Sequence, residues 1–247
     1  MTRDTKAGAV RKPNRLYQTS TMAALLEAVY DGETPMTTLL AHGDFGLGTF
    51  NALDGELILL DGVVHRLRAD GRAAAVSNDA LTPFACATFF EPERSVELSA
   101  PTSKHELEQL VDGLVGNANL FAALRIVGVF EDVETRTVFR QAQPYAPMLD
   151  VVRQQPVQRL PSAEGTLIGF RTPAYMQGIN VAGYHTHFIT KDKSRGGHVL
   201  DFRVLEGVLE VATLSDLEID LPLSREFANA NLAPDDLHKQ IRIAEGG

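Results

Sequence analysis

Three histidines, His185, His187 and His198, are the residues whose spacing most plainly specifies chemistry. They stand in Gly183-Tyr184-His185-Thr186-His187-Phe188 and Gly196-Gly197-His198-Val199, a His-x-His pair followed by a third imidazole. Alternate residues of a strand share a face, so the spacing sets His185 and His187 side by side. The stretch from Thr190 to Gly197 is polar and ends in two glycines, which is hairpin-loop composition. A hairpin closing about Asp192 and Lys193 puts His187 directly across from His198, with Cβ atoms roughly 4.5–5.5 Å apart. Three imidazoles on one face of an antiparallel pair fit three corners of a zinc tetrahedron. The fourth corner stays open for water or substrate, as in a catalytic rather than a structural zinc site. A cupin also offers His-x-His on a strand, but it wants a glutamate soon after, and Phe188-Ile189-Thr190-Lys191-Asp192 has none.

Composition narrows the setting. The chain has 247 residues, 44 % hydrophobic and 22 % charged, enough for one large or two small globular domains. A net charge of −9 argues against nucleic acid or an anionic membrane as partner. A small anionic substrate stays open, because a metal and one arginine override the mean field locally. Cys86 is alone, so no intrachain disulfide forms, and a zinc site must rely on histidine and carboxylate. No apolar run is long enough to span a membrane. The opening residues carry Arg3, Lys6, Arg11, Lys12 and Arg15 against Asp4, without the apolar centre of a secretory signal. Residues 1–16 are therefore expected to be a disordered basic arm on a cytoplasmic protein.

The elements that must position the histidines follow from periodicity and punctuation. Helices are predicted over Thr21–Tyr30, over residues 35–42 with Thr34 as N-cap, and over Lys104–Val115 behind a Ser103–Glu106 capping box. Between and after them lie short β runs: Gly48–Leu53, Glu56–Leu60, Val63–Leu67, Phe84–Phe90, Leu120–Phe130 and Val133–Phe139. Gln154–Glu164, proline-bearing and of low hydrophobicity, reads as a linker. It divides an N-terminal lobe, residues 17–153, from a C-terminal lobe, residues 154–247, that carries the histidines and a polar helical tail over Pro234–Ile243. Phe50, Leu53, Asp54, Gly55 and Leu57 are echoed by Phe202, Leu205, Glu206, Gly207 and Leu209. A duplicated β unit and two unrelated hairpins account for the echo equally well. Gly46 and Gly48 have neither Rossmann spacing nor a P-loop lysine.

Several stretches together resemble the acetolactate decarboxylase family. They are His42-Gly43-Asp44-Phe45-Gly46-Leu47-Gly48-Thr49-Phe50-Asn51-Ala52-Leu53-Asp54-Gly55-Glu56, Thr135-Arg136-Thr137, Thr172-Pro173-Ala174-Tyr175 and both histidine stretches. The likeness runs from about Tyr17 to Glu245-Gly246; the chain departs in its basic arm and in lacking the export signal of some relatives. It implies one zinc held by His185, His187 and His198, with Glu56, Arg136 and Glu245 completing the site. It also implies conversion of 2-acetolactate into acetoin and carbon dioxide. The chemistry is coherent: loss of carbon dioxide from a β-keto acid leaves an electron pair to be stored as an enediolate, and a Lewis acid on the ketone and hydroxyl oxygens stabilises it. By the same resemblance Arg136 forks onto substrate oxygens and Glu56 supplies the proton. A glutamate doing acid work beside zinc needs apolar walls, for which Leu53 and Phe50 are the candidates. Glu245 closes the pocket or takes an empty zinc position.

The expected fold is α+β. A mixed β-sheet lobe with the three helices is followed by a β-barrel-like lobe carrying the His₃ zinc site. The expected function is zinc-dependent decarboxylation of 2-acetolactate, a step toward acetoin and butanediol, by a homodimer. Two alternatives stand beside it: a zinc hydrolase or hydratase using metal-bound hydroxide, and a His₃ metal-binding module without catalysis. His42, His65, His105 and His238 lack partners at ligand spacing and read as structural or exposed.

Overall fold

The structure, a computed structural model, describes residues 12–245. In chain order its first elements are β1 (Arg15–Thr19), α1 (Met22–Leu26), β2 (Thr34–Pro35), α2 (Met36–His42), β3 (Phe45–Thr49), β4 (Glu56–Leu60), β5 (Val63–Leu67), β6 (Ala73–Ala75), β7 (Leu81–Thr82) and β8 (Ala85–Thr88). Then come β9 (Arg94–Leu98), β10 (Thr102–Ser103), α3 (Lys104–Val115), β11 (Phe121–Arg136), α4 (Met148–Val152), β12 (Val157–Thr172), β13 (Gly183–Thr190), β14 (Gly196–Leu214), β15 (Asp216–Asp220), α5 (Arg225–Asn229) and α6 (Leu237–Glu245).

Two sheets hold the molecule. The first has seven strands in the order β15-β1-β8-β3-β4-β5-β6, antiparallel except for the parallel β1–β15 pair. The second has six: β10-β14-β11-β12-β13, with β9 also on β14 and β13 turning back onto the start of β14. Alternation along the strands explains the layering. On β4, Leu57 and Leu59 face α2 through Met36 and Leu39, while Ile58 and Leu60 face inward. On β12, Ile168 and Phe170 face the same interior, while Leu167 joins Leu107 and Val111 of α3 on the far side. The result is α2, first sheet, shared core, second sheet, α3. Phe45 and Phe170 meet edge-on across the shared core at 5.8 Å. Its open end is filled by the short helices α1, α4 and α6 through Met22, Leu25, Met148, Val152, Ile241 and Ala244.

The α+β class is as expected, and β4, β5 and α3 have the bounds read from the sequence. Other expectations are corrected. The segment 154–164 is not a linker: from Val157 it is the first half of β12, paired with β11 from Arg136 back to Ala122. Its prolines and polar residues mark an exposed stretch of strand rather than a hinge. The seam between the sheets therefore does not follow 153/154, because β11 belongs with the histidine strands and β15 joins the first sheet. No separate barrel forms from residues 154–247. What is present is a ring of pairings, β11 to β12 to β13 to β14 and back to β11. The helix Lys104–Val115 covers the second sheet, not the first.

Smaller corrections have local causes. The helix expected over Thr21–Tyr30 stops at Leu26, and Ala28 sits at φ 62°. Pro35 is the N-cap of α2 rather than its first helical residue. Residues 120–130 and 133–139 are one strand through Arg136, bulged where Asp132 adopts φ 52°. The echo between residues 50–57 and 202–209 is not a repeated unit, since Gly55 turns the chain at φ 94° whereas Gly207 pairs with Gly128 mid-strand. The expected arm lies outside the described residues up to residue 11. Lys12 pairs with Asp216, and Arg15 and Leu16 are already strand.

Phe170→Ala is expected to lower stability by about 3–5 kcal/mol, the range for deleting a buried aromatic ring. In a chain of this size that is a melting point lower by roughly 10 °C, read by calorimetry.

Candidate metal centre and its pocket

The start of β14 is paired on both sides. His198 lies opposite His187 of β13 and opposite Arg136 of β11. His185 precedes His187 by one alternation on β13 and stands across from Phe170. One junction of three strands thus gathers three imidazoles and a guanidinium. The bulge in β11 sets the register that brings Arg136, rather than a neighbour, to His198.

The three histidines are buried, and one ring nitrogen from each lies within 4.8 Å of the other two. His187 Nδ1 donates to the Leu57 carbonyl at 2.8 Å. A carbonyl only accepts, so the proton sits on Nδ1 and the Nε2 lone pair faces the pocket. Of nine buried side-chain polar atoms without a hydrogen-bond partner among the described residues, three cluster here: His187 Nε2, His185 Nδ1 and Glu245 Oε2. Buried polar atoms are rarely left so, and an ion that they would share accounts for the group. Burial, reinforced by the charge of Arg136, pushes His185 down to about 3. Burial also drives His187 and His198 well below the usual histidine range. All three rings are therefore neutral at physiological pH, the form that binds a metal. The residues present fit one tetrahedral first-row divalent ion.

Two carboxylates face this cluster. Glu56, the first residue of β4, has Oε2 3.8 Å from His187 Nε2. Glu245, the last of α6, has Oε2 3.8 Å from His185 Nε2 and 3.7 Å from His198 Nε2. Burial raises Glu56 to about 8, helped by the charge of Glu245 and opposed by Arg136. Burial raises Glu245 to about 7, again opposed by Arg136. Arg136 Nη2 stands 3.5 Å from His198 Nε2 and donates to the Ala244 carbonyl of α6.

The cavity beside them is about 30 Å³, room for a water or two, and is walled by Leu25, Leu53, Phe84, Val138, Met148 and Val152. All six sequence candidates come together here. Of the two expected apolar walls, Leu53 lines the pocket and Phe50 does not. Phe50 points to the α2 side, with the Arg66 guanidinium 4.2 Å over its ring. Thr49, Gln155 and the Ala244 carbonyl were not anticipated. For Thr49 the cue was there, because it lies inside the stretch that carries the family likeness. Of the other histidines, His42 stacks on Tyr17 at 3.9 Å, His105 bonds Gln109 at 3.0 Å, and His65 is buried with Nδ1 lacking a hydrogen-bond partner.

Fold and site define an α+β protein of two packed sheets with a buried three-histidine centre able to hold a metal ion. A sequence model of the family described as alpha-acetolactate decarboxylase matches residues 16–234. The alpha-acetolactate decarboxylase of Klebsiella aerogenes is 51% identical over 93% of this chain and 88% of its own length. That of Bacillus subtilis (strain 168) is 42% identical over 94% of this chain and 91% of its own length. The crystal structure of the enzyme from that strain superposes with a TM-score of 0.92 at 42% identity, covering 94% of this chain and all of the other. A Staphylococcus aureus protein, described as of unknown function and similar to alpha-acetolactate decarboxylase, has a TM-score of 0.90 at 31% identity, over 94% of this chain and all of its own. This chain belongs to the alpha-acetolactate decarboxylase family.

The raised carboxyls have a consequence for stability. A group whose folded pKa lies above its unfolded value contributes stability that is present at low pH and lost as pH rises through the folded value. For Glu56 in metal-free protein that loss falls between its ordinary 4.5 and about 8. Glu56→Gln is therefore expected to raise the melting point of metal-free protein at pH 9, by at least about 2–4 °C per kcal/mol recovered, and to change it little near pH 4.5. Calorimetry of both proteins across that range checks the sign.

Proposed function

We propose that this chain decarboxylates 2-acetolactate to acetoin and carbon dioxide at the centre formed by His185, His187 and His198, with zinc as the metal. The observation that carries the reading is the convergence of three buried imidazoles, two carboxyls raised by burial and one buried arginine at a single small, largely apolar pocket, in a chain of this family. The bound metal would supply Lewis-acid stabilisation of the negative charge left on the substrate when carbon dioxide departs.

The other steps fall to side chains of this chain. Arg136 presents a planar fork of donors, and a substrate carboxylate or keto oxygen takes the place now held by the Ala244 carbonyl. The C–C bond to the carboxylate then breaks, and its electron pair stays on the carbon skeleton. Glu56, which its dry surroundings raise in the metal-free pocket, stands where it delivers a proton to that carbon from one side, which fixes the hand of acetoin. Glu245 bridges His185 and His198 on the opposite flank and, with Ala244, closes the pocket to water. Leu25, Leu53, Val138, Met148 and Val152 offer the apolar surface that two methyl groups of the substrate require.

The finer setting is a cytoplasmic homodimer. The buried thiol of Cys86 suits a reducing compartment, and the adjacent exposed residues Val127 and Val208 offer apolar surface to a second copy. Among the described residues no helix is long and apolar enough to cross a membrane.

His187→Ala is expected to lose most bound metal, whereas Arg136→Ala keeps the metal and loses turnover by about 10²–10³-fold, the usual cost of one charge-stabilising donor. Elemental analysis and acetoin formation from racemic 2-acetolactate, before and after chelation and zinc add-back, read both. Turnover by protein shown to be free of metal would overturn the metal role, and folded, zinc-loaded protein that makes no acetoin would overturn the substrate.

A further inference from the structure

The turn that delivers Glu56 into the pocket is unusually strained. Ala52 and Leu53 both adopt positive φ, 58° and 51°, and Gly55 follows at 94°. Glycine takes that region freely, but two consecutive residues with side chains rarely do. Strain of this kind persists only where the surroundings over-determine it, and it concentrates at functional sites. Joining two antiparallel strands does not require it, since a two-residue turn suffices.

The surroundings here do over-determine it. Asn51 clamps Gly32 with both ends of its amide, accepting from the Gly32 N–H at 3.0 Å and donating to the Gly32 carbonyl at 2.9 Å. Ala52 N–H donates to the Tyr30 carbonyl at 2.9 Å, and the Ala52 carbonyl accepts from Gln141 N–H at 2.7 Å. Thr49 Oγ1 donates to the Gly55 carbonyl at 2.9 Å. Asp54 is at the centre: buried, it accepts from Arg66 Nη1 at 2.7 Å and Arg68 Nη1 at 3.1 Å, with Arg140 Nη1 at 3.7 Å.

Among the described residues the carboxylate that this turn aims accepts no hydrogen bond: His187 Nε2 stands 3.8 Å away, and Glu245 and Arg136 act on it through charge alone. Its direction is therefore inherited from the backbone at the head of β4, two residues beyond Asp54. We propose that Asp54, held by Arg66 and Arg68, is a positioning residue for the reaction: it locks the strained turn over residues 52–55 and so fixes where the Glu56 carboxyl stands. This rests on the reading of Glu56 as the proton donor.

Two substitutions and a control test it, with kcat, KM, metal content and melting point measured for each well below unfolding. Asp54→Asn keeps size and removes the charge that gathers the arginines. Ala52→Gly relieves strain without touching any polar partner. Both are expected to retain zinc and KM while kcat falls between about 10- and 100-fold, the scale of a misplacement near 1 Å. For Ala52→Gly the melting point is expected to hold or rise, so loss of turnover cannot follow from loss of fold. A purely structural turn predicts the reverse, full kcat in both, with lower stability for Asp54→Asn and unchanged or greater stability for Ala52→Gly, and that result overturns the proposal. If Asp54→Asn does not fold, Ala52→Gly alone decides. Glu56→Gln is the control: if it too keeps wild-type kcat, the role of Glu56 has failed, whereas if only Glu56→Gln loses turnover, the positioning role of Asp54 has failed.

Discussion

Everything at this site depends on one backbone event, the pairing of the first residues of β14 on both sides at once. A strand end normally has one neighbour and a free edge. Here His198 has His187 on one side and Arg136 on the other, so ladder hydrogen bonds fix three chemical groups relative to one another before any side chain packs. The precision comes from strand spacing and register, which a side-chain substitution cannot easily shift. The bulge at Asp132 and the glycines at 196 and 197 are the local costs of that junction. A Cβ at Gly196 would come within 2.2 Å of the Phe188 carbonyl, so the close approach of β13 and β14 admits glycine alone.

The second constraint is electrostatic. Two imidazoles, His185 and His198, share a pocket with two carboxyls and a guanidinium among leucine, valine, methionine and phenylalanine, and His187 stands beside it against Glu56. Each is driven toward neutrality by its lack of water, the histidines by losing protons and the glutamates by keeping them. Burial pushes Arg136 down as well, opposed by the charges of Glu245 and Glu56, and its guanidinium donates to the Ala244 carbonyl. Such an arrangement is poorly satisfied in itself. A divalent cation would give the lone pairs of His187 and its neighbours an acceptor and would steady both carboxyls. The same features that burden the fold make the pocket receptive.

Much of this was legible in the residues. The histidine hairpin follows from a period of two and a glycine-ended loop, and β4, β5 and the capped helix α3 from local rules strong enough to survive packing. What failed was non-local. Val157–Glu164 looks like a linker because half of β12 is exposed, and exposure was mistaken for absence of structure. Proximity to Leu53 in sequence suggests a pocket position for Phe50, yet the positive φ at Ala52 turns the two toward opposite layers. The three groups implied by likeness alone, Glu56, Arg136 and Glu245, have no spacing that could unite them with the histidines. Only the sheet topology brings residues 56, 136, 198 and 245 to one point.

The parallel pairing of β1 with β15 has a consequence for how the protein comes into being. Residues 15–19 are among the first to be synthesised, and their edge partner is residues 216–220. The pocket is later still, because its closing wall is Ala244 and Glu245 of α6. As the chain grows, the first sheet waits with an open edge at β1 until residues 216–220 emerge, and the histidines, made at residues 185–198, stand uncovered until α6 follows. The pocket is therefore complete only once α6 is in place, and a metal ion can meet an uncovered triad before it meets a covered one.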